Sequence, residues 1–486
     1  MNPLFLIDFY KVGHVSQYPQ DTTQVWSNWT PRGSRVKGQE SVVFFGLQYF
    51  IKEILIKEWE HEFFNRPLSS ILSEYRELIA STLGVQNPKT DHIEALHKLG
   101  YLPLDIYALP EGTSVPLRVP MLVITNTKPE MYWLPNYFET ILSNILWKPC
   151  TSATTAQRYR KIFMKWAKQS GETDFSFIDW MGHDFSFRGM SGREDAILSG
   201  MGHLLSFSGT DTIPAIVAAN QYYGAALTVG GSVPATEHSV MCAGEKENEL
   251  ETFRHLIEDV YPTGIVSIVS DTWDLWKVLT EYVPALKDKI LARDGKIVIR
   301  PDSGDPVKII CGDRDKSFDS NPGQGTLRLL AKALGTRENG KGLPLINKGG
   351  AIYGDSITPE RAEAILEQTV TDLVLSPYNM VFGIGSYTYE YVTRDTFGFA
   401  MKATAVRRHG EIIDIFKKPV TDDGEKNSLK GIPAVFTKQW GESTKIWVLD
   451  GQKPEALDNC AFRKVYSNGK LLVEDTFDDI RKRVRE

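Results

Sequence analysis

The sequence predicts an α/β protein in two domains. One is a parallel β/α sheet, open or closed into a barrel, over residues 151–386; the other is a discontinuous α+β domain with an antiparallel sheet, built from 1–150 and 387–486. Three observations lead there. First, apolar β-branched runs stop abruptly at polar groups: 264–270 at Asp271, 296–299 at Arg300, 350–353 at Gly354-Asp355, and 381–382 at Gly383-Ile384-Gly385. Second, helix starts lie close behind: Thr358-Pro359-Glu360 combines an N-cap, an N1 proline and a first-turn acid, and Ser191 with Glu194 reads as a capping box. Repeated βα units of this kind build parallel sheets. Third, the tail returns to antiparallel-looking strands at 397–405, 411–416, 444–449 and 462–466.

Taken in order, 42–57 and 134–147 carry helical apolar spacing, with Phe138, Ile141, Leu142, Ile145 and Leu146 on one face of the second. Between them 105–126 is strand-like, broken by turns at Pro110-Glu111-Gly112 and Pro116-Leu117-Arg118. Residues 151–170 read as a helix entered through Thr151 and Ser152.

The bulk numbers bound the function. A chain of 486 residues is long enough for two or three domains with large cores. Its net charge of −6, with both signs interspersed, argues against general nucleic-acid binding but leaves room for a local basic pocket. Cys150, Cys242, Cys311 and Cys460 are far apart and have no metal-type spacing. No apolar run approaches a membrane span and the N-terminus lacks a signal-peptide pattern, so a cytoplasmic protein with no membrane association is expected.

In a parallel barrel the C-terminal strand ends meet on one rim, where chemistry is found. The polar groups so gathered are Arg188 and its neighbours in 182–189, Asp211, Glu237-His238, Asp271, Arg300 with Asp302, Asp355 and the 383–385 turn. Arginines grip phosphate oxygens, carboxylates accept from ribose hydroxyls, and glycine-flanked amides approach a phosphate closely, so the set suits a phosphorylated sugar. Taken singly each has a plainer account: Asp211 as a helix cap, Phe185 as a core ring, His238 as a histidine satisfied by Glu237, and the lysines at 417, 418, 426 and 430 as a solvated face.

With these motifs assembled the chain resembles the nicotinamide phosphoribosyltransferases, within the type II phosphoribosyltransferase family. The resemblance runs over nearly the whole length. Its motifs are Tyr10-Lys11-x-x-His14, Phe45-Gly46-Leu47-Gln48-Tyr49, His183-Asp184-Phe185-x-x-Arg188-Gly189, Gly209-Thr210-Asp211-Thr212, the 232–239 segment, Arg300-Pro301-Asp302-Ser303-Gly304, Gly354-Asp355, Thr393-Arg394-Asp395 and Phe416-Lys417-x-Pro419-Val420.

That resemblance implies an irregular β/α barrel of the type II kind, and transfer of phosphoribosyl from phosphoribosyl pyrophosphate to nicotinamide. It also implies Mg²⁺, ATP as an optional co-substrate acting through a phosphohistidine at His238, and a homodimer with active sites at its interface. Carried over residue by residue, Phe185 and a partner-donated Tyr10 sandwich the pyridine, and Asp211 accepts from the carboxamide. Arg188 and Arg300 hold pyrophosphate. Pro301, Asp302, Gly354 and Asp355 surround the ribose, and Gly385, Ser386 and Arg394 take the ribose phosphate. Asp271 orients His238, while Arg32, Lys402, Lys417 and Lys426 meet nucleotide phosphates.

The chain departs from the family at Ile384 and Ser386, where further glycines are usual; in the 422–426 segment, which carries an extra residue and an acid; and at Gly350, where a basic residue is expected. A nicotinate-specific transferase, a barrel glycoside hydrolase using Asp302 and Asp355, and a non-catalytic relative are the competing readings.

Overall fold

The computed structural model describes residues 1–417, 428–441 and 443–486. Lys418, Pro419, Val420 and the 422–426 segment with Lys426 lie outside them. The chain divides into two compact units, one made of Met1–Thr154, Ala218–Ala225 and Val392–Glu486, the other of Thr155–Val217 and Ala226–Tyr391.

The first unit is organised by a seven-stranded antiparallel sheet. Its strand Thr22–Thr30 pairs with Ala400–Arg408 on one side and Leu122–Asn126 on the other. Sequence-distant ends are thereby hydrogen-bonded neighbours, which is why the unit is discontinuous. Trp29 stacks on Phe399 with ring centroids 4.5 Å apart, and both are fully buried. The short piece Ala218–Ala225 joins this unit because the Tyr222 carbonyl accepts from Gln48 (2.7 Å) and Lys52 (2.9 Å), and the Tyr223 ring packs 5.2 Å from Phe45.

The second unit holds a six-stranded parallel sheet, in the order Gly209–Thr210, Gly182–Asp184, Met380–Ile384, Gly349–Tyr353, Gly295–Arg300, Gly264–Val269. Strands covered on both faces read as continuous β-branched runs, and that is the 264–269 and 297–299 pattern. The sheet curls until one segment reaches both of its edges. Gly231 bridges Gly209 at one edge, while Ala235 bridges Ser267 at the other. The curl makes this the irregular barrel expected. It brings the carboxyl ends of all six strands to one rim. Phe163 fills the layer behind, 5.2 Å from Phe382.

Local signals were partly as expected. Thr358 caps Pro359–Thr371 by accepting from the Arg361 amide at 3.2 Å. Asp305 caps Pro306–Cys311 directly after the Arg300 turn, accepting from the Val307 and Lys308 amides at 3.0 Å each.

Three expectations are corrected. At Arg193–Leu204 the acid reaching back to the Ser191 amide is Asp195, at 3.2 Å, and the Ser191 hydroxyl donates to Glu390, so the predicted Ser191–Glu194 box does not form. The two helices predicted at 134–147 and 151–170 include one continuous helix, Glu139–Gln169, with Pro149 inside it. Thr151, read with Ser152 as the entry to a helix, instead donates back to the Trp147 carbonyl at 2.7 Å, as Thr154 does to the Cys150 carbonyl at 2.7 Å. The tail hairpin also has a first strand, Ile432–Trp440, absent from the sequence reading. All four cysteines are free thiols. Among the described residues no helix is long and apolar enough to cross a membrane.

Candidate functional site

Strand alternation builds the site's cationic wall. On Gly295–Arg300, the residues Lys296, Val298 and Arg300 share one face and all line a cavity of about 380 Å³ inside the curled sheet. Arg300 stands at the rim. Burial pulls its guanidinium below the usual range; Asp302, Asp211 and Asp271 oppose this, and the nearby Arg188 adds to it. Its buried Nε has no protein partner.

The turn after Arg300 is locked by Asp271, at the end of the neighbouring strand. Asp271 Oδ2 accepts from the Asp302 amide (2.8 Å) and the Ser303 hydroxyl (2.6 Å), with Pro301 buried between. Burial pushes the Asp302 carboxyl up; Arg300 and His238 pull it down, and Asp271 and Asp355 push it further up. His238, exposed at the start of His238–Ala243, has its Nδ1 3.3 Å from the Thr272 hydroxyl. In this structure Asp271 holds the 302–303 turn through Oδ2, and the neighbouring Thr272 meets the His238 ring. Asp355 is exposed and accepts from Ser356 at 3.0 Å.

Phe185 follows directly on Gly182–Asp184, its amide donating to the Ile384 carbonyl at 3.0 Å. The Cδ2–Cε2 edge of its ring packs against two glycines. A Cβ at Gly383 would sit 2.3 Å from the ring, and one at Gly354 would sit 2.9 Å from it. The glycines of the predicted phosphate turns thus also leave the room that the Phe185 ring occupies. The His183 ring lies 5.0 Å from Phe185 at 59°.

Asp211 shares the cavity with Phe185 and Arg300. It caps no helix. Its Oδ1 accepts from His183 Nε2 (2.9 Å) and from the Ser232 hydroxyl (2.7 Å). Burial works to raise its carboxyl, but His183, Ser232 and Arg300 outweigh it and hold Asp211 below the usual carboxylate range. An anionic acceptor and an aromatic ring therefore line the same cavity. On the outer side of Phe185 and Asp211 lies a second cavity of about 550 Å³, walled by Arg188 and Arg193. Gly385 and Ser386 sit beside this loop, since a Cβ at Gly189 would collide with the Ser386 hydroxyl.

The remaining predicted residues gather in the first unit. Arg32 and Arg394, with Arg35, line a cavity of about 320 Å³, and Arg32 Nε donates to the Gly398 carbonyl at 2.9 Å. Burial lowers the Lys402 pKa; Glu139, 3.7 Å away, opposes this, while Arg32, Lys11 and the exposed Lys417 add to it. Tyr10 is 60% exposed. The predicted set thus falls into two clusters, one in each unit.

Sequence reasoning missed His183, Ser232, Lys296 and Arg35 as site residues. Period-two spacing was the available signal for two of them: His183 stands two before Phe185, and Lys296 four before Arg300. Ser232 opens the 232–239 motif, but nothing local there pairs its hydroxyl with Asp211. As for metals, no group of three or more His, Cys, Asp or Glu among the described residues is placed to hold one. Asp271 and Asp355 nevertheless both lie within charge range of Asp302, and the buried Oδ1 of Asp271 has no partner. That oxygen set fits a hard cation carried mainly by phosphate and water, as Mg²⁺ is.

The model of the "Nicotinate phosphoribosyltransferase (NAPRTase) family" matches residues 181–470, and that of "Nicotinamide phosphoribosyltransferase, N-terminal domain" matches 2–59. The chain is 49% identical to the nicotinamide phosphoribosyltransferase of Acinetobacter baylyi, over 100% of this chain and 97% of that one. It is 32% identical to the enzyme of the same name from Xanthomonas campestris pv. campestris, over 99% and 97%. In fold it is similar to human nicotinic acid phosphoribosyltransferase, with a TM-score of 0.61 at 15% identity over 98% and 92% of the two chains.

Proposed function

This chain belongs to the nicotinate phosphoribosyltransferase family and groups there with the nicotinamide phosphoribosyltransferases; from that footing we propose how its residues perform the transfer. The protein is a pentosyltransferase. It joins nicotinamide to the phosphoribosyl group of phosphoribosyl pyrophosphate, giving nicotinamide mononucleotide and pyrophosphate in NAD salvage. The observation that carries the mechanism is the meeting of Phe185, Asp211 and Arg300 on one cavity of about 380 Å³.

The pyridine ring lies on Phe185, and such stacking contributes about 0.5–1.5 kcal/mol beyond burial, enough to orient a ring. Asp211 accepts a hydrogen bond from the carboxamide. The ring nitrogen keeps a free lone pair at neutral pH, so attack on the anomeric carbon needs no general base. As that carbon gains positive character, Arg300 and Arg188 hold the departing pyrophosphate, and preorganised charge of this kind supplies much of the rate. Asp302, Pro301 and Gly354-Asp355 hold the ribose. Gly385, Ser386 and Arg394 take its phosphate. Asp302, Asp271 and Asp355 would help hold a Mg²⁺ carried by the diphosphate, and its charge would offset that of the phosphates.

ATP serves as a co-substrate through phosphorylation of His238, which is exposed beside the Asp302 rim. The cluster of Tyr10, Arg32, Arg394, Lys402 and Lys417 completes the site across a homodimer, each copy supplying it to the other; Tyr10, with its ring exposed, covers the free face of the pyridine. Lys426 belongs to this proposed set but lies outside the described residues. The four free thiols suit a reducing compartment, and the cytoplasm is the proposed location.

The test is direct. Purified protein is incubated with phosphoribosyl pyrophosphate, Mg²⁺ and either nicotinamide or nicotinate, and the mononucleotides are quantified. Nicotinamide is the preferred acceptor; preference for nicotinate refutes the role given to Asp211.

A further inference from the structure

Resting on that reading, we propose that His183 and Ser232 are positioning residues that set the preference for amide over acid. They pin one oxygen of Asp211, so that the other faces the ring substituent as an anionic acceptor.

The geometry is a triangle. His183 Nε2 and the Ser232 hydroxyl both lie within hydrogen-bond distance of the same oxygen, Asp211 Oδ1, at 2.9 and 2.7 Å, and 3.3 Å from each other. An ionised carboxylate only accepts. Both neighbours therefore donate to it, which makes His183 the Nε2–H form. A carboxylate held by two donors on one oxygen cannot rotate freely. Its second oxygen is left to accept from a ligand.

Why this matters follows from the rest of the cavity. Arg300 and Lys296 line it too. Two cations would welcome the carboxylate of nicotinate. The anionic charge of Asp211, at a fixed place, is what opposes that. Were Asp211 to turn away toward Arg300 or take up a proton, the cavity would lose its objection to the acid. Specificity here is a repulsion, and a repulsion works only if the repelling group stays put. The pinning pair lies outside the set that grips pyrophosphate and ribose, so it acts through Asp211 on the choice of ring.

The test measures kcat/KM for nicotinamide and for nicotinate in the wild type and in His183→Ala, His183→Gln and Ser232→Ala, with thermal melting as a check on folding. From the ordinary strength of a charge-assisted hydrogen bond, the amide-to-acid ratio falls about tenfold or more in His183→Ala and in Ser232→Ala, through a lower KM for nicotinate as the repulsion relaxes and a higher KM for nicotinamide. His183→Gln restores most of it, because its amide N–H takes the place of Nε2–H while the ring packed against Phe185 is absent.

A wild-type ratio in folded His183→Ala and Ser232→Ala overturns the proposal. So does His183→Gln behaving like His183→Ala, which would assign the effect to ring packing. If His183→Ala does not fold, Ser232→Ala, which removes one exposed hydroxyl, decides alone. Failure of the wild type to use nicotinamide at all sinks the underlying reading, and is seen before any variant is made.

Discussion

Gly383→Ala is the sharpest probe of the aromatic platform. Gly383 has no left-handed φ, so alanine meets no backbone strain there, only a shortage of space. A methyl at this position lies 2.3 Å from Cδ2 and 2.4 Å from Cε2 of Phe185, and 2.7 Å from the Gly354 Cα. Carbon atoms rest at roughly 3.5 Å or more, so the ring must retreat by about 1.2 Å. The strand cannot absorb this. Gly383 is in register with His183 on one neighbouring strand, and the preceding Phe382 with Tyr353 on the other. Overpacking of this kind costs about 1–3 kcal/mol of stability.

The larger effect falls on the pyridine, whose shelf has moved. Misplacement by about 1 Å at a reacting centre costs up to about a hundredfold in rate. At Gly354 the same methyl would sit 2.9 Å from the ring, requiring a retreat about half as large. Gly383→Ala is therefore expected to reduce kcat/KM for nicotinamide by about ten- to a hundredfold, and Gly354→Ala by less. Phe185→Leu placed in the Gly383→Ala background recovers part of the lost melting temperature. Steady-state kinetics with the donor saturating, together with melting curves, give the answer. Gly383→Ala with unaltered nicotinamide kinetics and stability, or Gly354→Ala the more damaging of the two, would refute the ring-on-glycine reasoning.

Three further outcomes are expected. Burial pushes the Glu111 carboxyl up to about 7, against hydrogen bonds from the backbone amides of Gln48, Gly46 and Leu47. A raised folded-state value means the native protein holds this proton more tightly than the unfolded chain. Its stabilisation is complete below the unfolded value near 4.5 and is lost as pH rises through 7, by up to about 3 kcal/mol. Melting from pH 5 to 8 should show this decline, and Glu111→Gln should flatten it; equal slopes contradict it. Arg300→Lys exchanges a two-pronged grip for a point charge and should lower kcat by about a hundredfold, read in the same assay, with a loss below threefold counting against pyrophosphate contact. His238→Ala should bring the ratio of rates with and without ATP to one, and persistent stimulation removes the phosphohistidine role.

Much of the barrel was legible because a parallel strand buried on both faces is written as an uninterrupted β-branched run, and its end as the first polar group. Arg300, Asp271 and Asp355 were found in that way. Capping was less legible. At Thr358 the hydroxyl meets its own helix start, whereas the hydroxyls of Thr151 and Thr154 bond backward inside one long helix; the residue types are the same, and only the helix they belong to distinguishes them. His183 was visible in principle, two residues from Phe185 on a strand. Ser232 was not, because its function is a hydrogen bond to a side chain 21 residues away.

What the sequence by itself determined is the inventory and its order: which strands end in cations or carboxylates, which turns carry glycine, and that the two ends of the chain share an antiparallel sheet. What only the tertiary structure decided is who faces whom. A sheet curled until 231–235 touches both edges brings the Asp211, Arg300 and Phe185 strand ends to one cavity, and sets two donors on a single oxygen of Asp211. Local spacing encodes the face a side chain takes on its own strand, but the distance between strands is set by how the whole sheet closes.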